Sequence, residues 1–170
     1  LNSLKAGIIF SNPKNLPLKS KVKSTFSKYS NHHCNFSGAD AAKRVLEANG
    51  VYDVKIERIS GNLTDHYDPK TNVIRLSDSV YSATNIAAVG VAAHEAGHAV
   101  ASYYCEHSDP VKHITIIPAG SAGGVTISVP TEDKMTSSRN EMIDHIVLAL
   151  GGRVAEEIVL DDISTGASND

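Results

Sequence analysis

An α+β fold is what the sequence predicts, and three observations lead to it. Two short β-branched runs, Val54 to Glu57 and Val73 to Leu76, precede a long proline-free stretch of Ala, Val and Ile from Thr84 to Tyr104. The chain then ends in a segment whose apolar residues recur at three- and four-residue steps. Strands bounded by turn residues, followed by helices, fit a small hairpin-built sheet packed on a long helix, with a second amphipathic helix behind it.

At 170 residues the chain has room for one ordinary domain. Apolar residues at 41% and charged residues at 21% lie near globular averages, which argues against a disordered or fibrous chain. The net charge is −3 and the lysines mix with acids outside one cluster, Lys14 to Lys28, so nucleic acid finds no electrostatic footprint. Cys34 and Cys105 lack the spacing of a zinc ribbon or a disulfide framework and read as reduced thiols. No apolar run approaches the ~20 residues of a membrane helix, so the chain is expected to be soluble as given. It opens on Leu1 and stops at Asp170 straight after a loop-like stretch, and so reads as a fragment.

Leu1 to Ser20, rich in Asn, Ser, Pro and Lys, is expected to be a flexible tail. Lys21 to Tyr29 suits a short basic helix, and Ser37 or Asp40 can cap a second helix that runs through Asn49 and ends at Gly50. The runs at Val54 and Val73 are expected to pair as a β-hairpin with a long connection punctuated by Gly61-Asn62 and Asp68-Pro69. Thr84 to Tyr104 makes a largely buried helix of about six turns. Pro110 bars helix, and a second hairpin follows: His113 to Ile117, a turn at Gly120 to Gly124, and Val125 to Val129. From Ser138 a helix sets Ile143, Ile146, Val147, Leu150, Val154 and Ile158 along one face, with Asp144, Arg153 and Glu157 on the other. The apolar face is expected to pack inward.

The chemistry resides in His94-Glu95-Ala96-Gly97-His98, an H-E-x-x-H pattern inside the longest predicted helix. Four residues apart, the imidazoles project about 40° from one another, so two ring nitrogens can meet one zinc ion at about 2.0 to 2.1 Å. Glu95, about 100° round from His94, is placed to take a proton from the attacking water. Chance would produce the pattern in a chain with 8 histidines on the order of one or two times in a hundred. Burying these side chains among alanines would cost several kcal/mol without a compensating partner, and zinc is such a partner.

Glu156 and Glu157 lie on the last helix, and a helical glutamate is the third ligand in one large class of H-E-x-x-H enzymes. Gly151-Gly152 costs roughly 2 kcal/mol in mid-helix, which fits either close packing against the metal helix or a helix break. His66, His107, His113 and His145 have no partner at ligand spacing and read as surface or hydrogen-bonded histidines. Tyr103 and Tyr104, at a helix end, read as packed rings with their hydroxyls in water.

Two family resemblances meet at the motif. Lys21-Val22-Lys23-Ser24-Thr25-Phe26, Gly38-Ala39-Asp40-Ala41-Ala42, Gly61 to Pro69 and Val73-Ile74-Arg75-Leu76-Ser77 resemble the YugP-type membrane-anchored zinc metallopeptidases, over Lys21 to His98. His94 to Val100, Asp109-Pro110-Val111, Thr115-Ile116-Ile117-Pro118, Leu150 to Ile158 and Ser164 to Asp170 resemble the peptidase domain of FtsH-type ATP-dependent proteases. The second resemblance implies that Asp170 is the third zinc ligand, and that the protein assembles as an oligomer. After Pro118, Ala119 to Gly124 stands where that family carries an arginine-containing turn. No G-x-x-x-x-G-K-[ST] occurs, so ATP binding is not expected in this chain. A natural hybrid, an engineered fusion and a misassembled sequence share this signature.

The expected architecture is zincin-like: a 1–20 tail and a single metallopeptidase domain, 21–170, with a sheet-bearing part at 21–93 and an FtsH-peptidase-like part at 94–170. The expected activity is zinc-dependent endoproteolysis of a polypeptide, with His94, His98 and Asp170 as ligands and Glu95 as general base. A strand at the rim of the sheet could hold the substrate by β-augmentation. Two alternatives stand beside this: an inactive zinc- or peptide-binding remnant, and a zinc hydrolase of small amides. Both resembled families are membrane-associated, so association would require a segment that this sequence lacks.

Overall fold

The computed structural model describes residues 24, 26–107, 136 and 138–160, and the backbone of 111–115 and 125–128. The expected tail, the turn at Gly120 to Gly124, the side chain of His113 and Asp170 lie outside the described residues. Residues 26–29 are helical, within the stretch expected to form the basic helix.

Helix α1 spans Gly38–Ala48. Both of its candidate caps act together: Ser37 Oγ accepts from the Asp40 amide at 3.2 Å, while Asp40 Oδ2 accepts from the Ser37 amide at 3.0 Å. The chain leaves the helix through Gly50 at φ 72°, a conformation that glycine adopts without a Cβ penalty. Ala41, Ala42 and Leu46 face inward.

Three strands follow: β1 at Lys55–Ile59, β2 at His66–Asp68 and β3 at Val73–Ser77. The expected hairpin between the first and third runs does not form, because β1 and β3 are parallel, with Lys55 opposite Val73 and Ile59 opposite Ser77. The short strand β2 takes the antiparallel position beside β3, with Asp68 opposite Val73. Leaving β1, the chain reverses through Gly61 and Leu63, both at positive φ, and the parallel side of β3 is what remains for β1. Asp68 closes the true hairpin by accepting from Lys70 N, Thr71 Oγ1 and Arg75 Nη1 at 3.1, 2.8 and 3.0 Å. Burial works against the charged form, yet these hydrogen bonds hold the Asp68 carboxyl at about 2. Asp65, fully buried, accepts from both the amide and the hydroxyl of Ser77 and pins the end of β3.

The second hairpin forms as expected from β4, Val111–Thr115, and β5, Val125–Ser128, with its first strand beginning two residues earlier than the sequence suggested. Tyr67 opposite Ile114 joins it to β2, giving one five-stranded sheet in the order β1-β3-β2-β4-β5.

A single turn, α2 at Asp78–Tyr81, leads to the long helix α3, Ile86–Tyr104. Asn85 caps it, its Oδ1 accepting from Ala88 N at 2.9 Å. Helix α3 packs on the sheet, on α1 and on α4, the last helix, Arg139–Leu160. Ala88, Ala92, Ala93, Ala96 and Ala99 are all buried, which explains an alanine-rich composition: neighbours on three sides leave no room for larger side chains. Ser138 and Glu141 form a reciprocal cap at the start of α4, in agreement with the predicted helix start.

The inward face of α4 differs from the expectation. Leu148, Gly152, Ala155 and Glu156 are buried against α3, while the predicted core stripe of Ile143, Ile146, Val147, Leu150, Val154 and Ile158 lies 44% to 77% exposed. Around Gly97, Gly151 and Gly152 the helices approach too closely for branched side chains, while Leu148 is taken in beside that contact.

Candidate metal centre

Three residues of the motif, His94, Glu95 and His98, lie on α3 with no solvent exposure. The Nε2 atoms of His94 and His98 come within 3.0 Å of one another, the rings meeting edge to face. Helix α4 holds both rings from behind. His98 Nδ1 donates to the Leu148 carbonyl at 2.8 Å, and His94 Nδ1 donates to Glu156 Oε1 at 2.8 Å. A carbonyl can only accept, so the proton of His98 sits on Nδ1, and the Glu156 carboxylate selects the same tautomer for His94. Both Nε2 lone pairs therefore point at a common position, which one shared proton or one shared metal ion can fill. Imidazole–zinc distances of about 2.0 to 2.1 Å reach both nitrogens at this separation. The carboxylate–histidine and carbonyl–histidine hydrogen bonds are the outer contacts that orient metal-binding imidazoles.

The fold brings together His94, Glu95 and His98 and adds two groups for which the sequence suggested a different role or none. Glu156 sits on the Nδ1 side of His94, away from the paired Nε2 atoms, and so orients the ring instead of joining it as a ligand. Glu157 is exposed. The Leu148 carbonyl had no signal of its own, although Leu148, Gly152 and Glu156 stand four residues apart and mark one face of α4. Among the described residues, no third His, Cys, Asp or Glu completes a ligand group with the two histidines. His66 is tied to the Thr64 carbonyl, and exposed His107 lies against Asp144, so neither belongs to the centre. Tyr103 and Tyr104 are exposed, and the Tyr104 hydroxyl donates to the Asn49 carbonyl.

Three glycines set the distance between the helices. A Cβ on Gly97 would collide with the Gly151 carbonyl oxygen, one on Gly151 would lie 2.7 Å from the Gly97 oxygen, and one on Gly152 would lie 2.6 Å from the His94 ring. Of the two readings of Gly151-Gly152, close packing is the one realised. Gly97→Ala is therefore expected to destabilise the protein by about 3 kcal/mol, since the obstacle is backbone on a facing helix. That corresponds to a fall in Tm of roughly 6 to 12 °C for a chain of this size. On an exposed helix the same change would stabilise by about 1 kcal/mol, so the sign of the Tm shift decides between the two cases.

Comparison with known proteins places this centre in context. The family model described as "Putative neutral zinc metallopeptidase" matches residues 13–130, from ahead of the helical residues 26–29 to beyond β5. ATP-dependent zinc metalloprotease FtsH 2 of Alkaliphilus metalliredigens is 62% identical over 77 residues, 45% of this chain and 11% of that protein. FtsH of Burkholderia pseudomallei is 41% identical over 140 residues, 79% of this chain and 20% of that protein. "Putative membrane protease YugP" of Bacillus subtilis is 51% identical over 82 residues, 47% of this chain and 36% of that protein. The chain thus spans a minor part of each of these relatives. No helix among the described residues is long and apolar enough to cross a membrane. A buried histidine pair on one helix, oriented by the next, and a family match over more than half of the chain lead to one conclusion: the chain belongs to the neutral zinc metallopeptidase family, whose metal is zinc.

Proposed function

We propose that this chain is the peptidase unit of a zinc metalloendopeptidase, with His94, His98 and Asp170 as metal ligands and Glu95 as the general base. The observation that supports it most is the meeting of the two Nε2 atoms 3.0 Å apart in a fully buried position, each ring fixed from behind by α4. The ligand role of Asp170 rests on its resemblance to the FtsH-type block alone.

Zinc, when bound, polarises the scissile carbonyl and makes water a better nucleophile near neutral pH. Glu95 takes one proton from the attacking water as its oxygen bonds to the carbonyl carbon. The same carboxyl then delivers that proton to the departing amine nitrogen as the C–N bond breaks, leaving a carboxylate and a free amine. Glu156 and the Leu148 carbonyl hold the imidazoles so that their Nε2 atoms stay aimed at the metal position. A polypeptide substrate can lie extended along a sheet edge, and β1 and β5 are the two edges of this sheet. Residues 21–170 act together as one domain in this reading, which the close packing of α3 and α4 supports.

The test is elemental analysis after exhaustive dialysis without chelator, followed by hydrolysis of an unfolded protein such as casein. About one zinc per chain and cleavage abolished by 1,10-phenanthroline are expected. A chain that retains no zinc, or cleavage indifferent to the chelator, would overturn the proposal.

A further inference from the structure

Among the described elements, α4 packs on α3 and scarcely touches the others. Its inward face brings little apolar bulk to that contact: Leu148 is the one large apolar side chain of α4 that is fully buried, beside Gly151, Gly152 and Ala155, with Val159 and Leu160 partly buried at the far end. Among the described residues, the buried hydrogen bonds between the two helices end on the motif. The Leu148 carbonyl accepts from His98 Nδ1 and Glu156 Oε1 accepts from His94 Nδ1, each at 2.8 Å.

Both bonds need the imidazole proton on Nδ1. Zinc at the two Nε2 atoms keeps it there, because a coordinating nitrogen carries no proton. In the zinc-free protein two Nε2 lone pairs face one another 3.0 Å apart. A neutral imidazole relieves that repulsion whenever its single ring proton moves to Nε2 and bridges to the other ring, and its bond to α4 goes with the proton. Glu156, 4% exposed, is then short of one donor in the interior, a cost that water removes once α4 lifts. We infer that α4 is a zinc-held latch: metal at the Nε2 atoms locks the tautomers that hold α4 shut on α3, and loss of the metal lets α4 open locally. The inference rests on His94 and His98 as ligands, and is independent of the peptidase reaction and of Asp170. An open α4 takes the support from behind both rings, so zinc release and helix opening are linked by one coupling factor that acts in both directions.

Hydrogen–deuterium exchange of the 170-residue chain, zinc-loaded and after stripping with EDTA, reads the latch, with elemental analysis beside it. Amides of α4 should exchange about tenfold or more faster without zinc, while those of α1 and β3 change by less than about twofold. Equal acceleration in all three marks general destabilisation and overturns the inference, as does an α4 that does not respond. The converse test leaves the ligands untouched. Gly151→Ala, whose Cβ would lie 2.7 Å from the Gly97 oxygen and 2.8 Å from the Ala101 Cβ, pushes the helices apart and should lower zinc affinity about tenfold or more in competition with a chelating dye. Gly90→Ala, at the same interface, meets only the Leu160 Cδ1 methyl at 3.0 Å and should keep the affinity within about twofold of the parent. Parental affinity in Gly151→Ala, or an equal loss in Gly90→Ala, also overturns the latch. If Gly151→Ala does not fold, the exchange comparison on the parent chain still decides. A chain that binds no zinc sinks the ligand assignment together with the latch, whereas one that binds zinc with α4 unmoved sinks the latch alone.

Discussion

Replacing His98 with alanine is expected to strip the chain of zinc and of all peptidase activity. His98 supplies one of the two Nε2 atoms that meet 3.0 Å apart, and its Nδ1 ties α3 to the Leu148 carbonyl of α4. Apparent zinc-binding free energies for structural sites run to about 10 to 16 kcal/mol, so losing one of the proposed ligands is expected to lower affinity by orders of magnitude. After dialysis the variant should hold less than about a tenth of a zinc per chain. A second loss is separate from the metal. The Leu148 carbonyl keeps its helical hydrogen bond but loses the imidazole donor, at about 0.5 to 1.5 kcal/mol, so the metal-free variant should melt below the metal-free parent. Elemental analysis reads the first effect and thermal unfolding of both metal-free proteins reads the second. Undiminished zinc in the variant would remove His98 from the ligand set.

Glu95→Gln is expected to separate binding from chemistry. Glutamine preserves the shape of a fully buried side chain and cannot accept the proton that peptide hydrolysis must move. Glu95 follows His94 directly, about 100° further round α3, and is not one of the two groups whose Nε2 atoms converge. Zinc content should therefore match the parent, while kcat for casein cleavage falls by about 10² to 10⁴. The contrast with His98→Ala is the informative part: one variant loses rate with its metal in place, the other loses rate because the metal is gone. Parental kcat in Glu95→Gln would mean that another group carries the proton.

Much of the site was legible because its signals are local. Two histidines four residues apart on a helix share a face whatever surrounds them, and the Ser37–Asp40 and Ser138–Glu141 caps each act within one turn. Glu156 was legible only as one of two glutamates that could serve as an alternative ligand, and its place behind the His94 ring depends on how α4 lies on α3. The parallel pairing of β1 with β3 was hidden for a related reason. A three-residue strand, His66–Asp68, is too short to announce itself by alternation, yet it takes the antiparallel side of β3 and decides the pairing of both neighbours.

By itself, the sequence determined the helix bearing the motif, the residue types that suit zinc, and the second helix with its apolar stripe. Only the tertiary structure decided which face of that second helix turns inward. Periodicity reports that a helix has an apolar side, and burial normally follows. Here Gly97, Gly151 and Gly152 bring two backbones and an imidazole so close that no branched side chain fits between them. Contact distance overrides hydrophobicity at that surface, and the stripe is left facing outward.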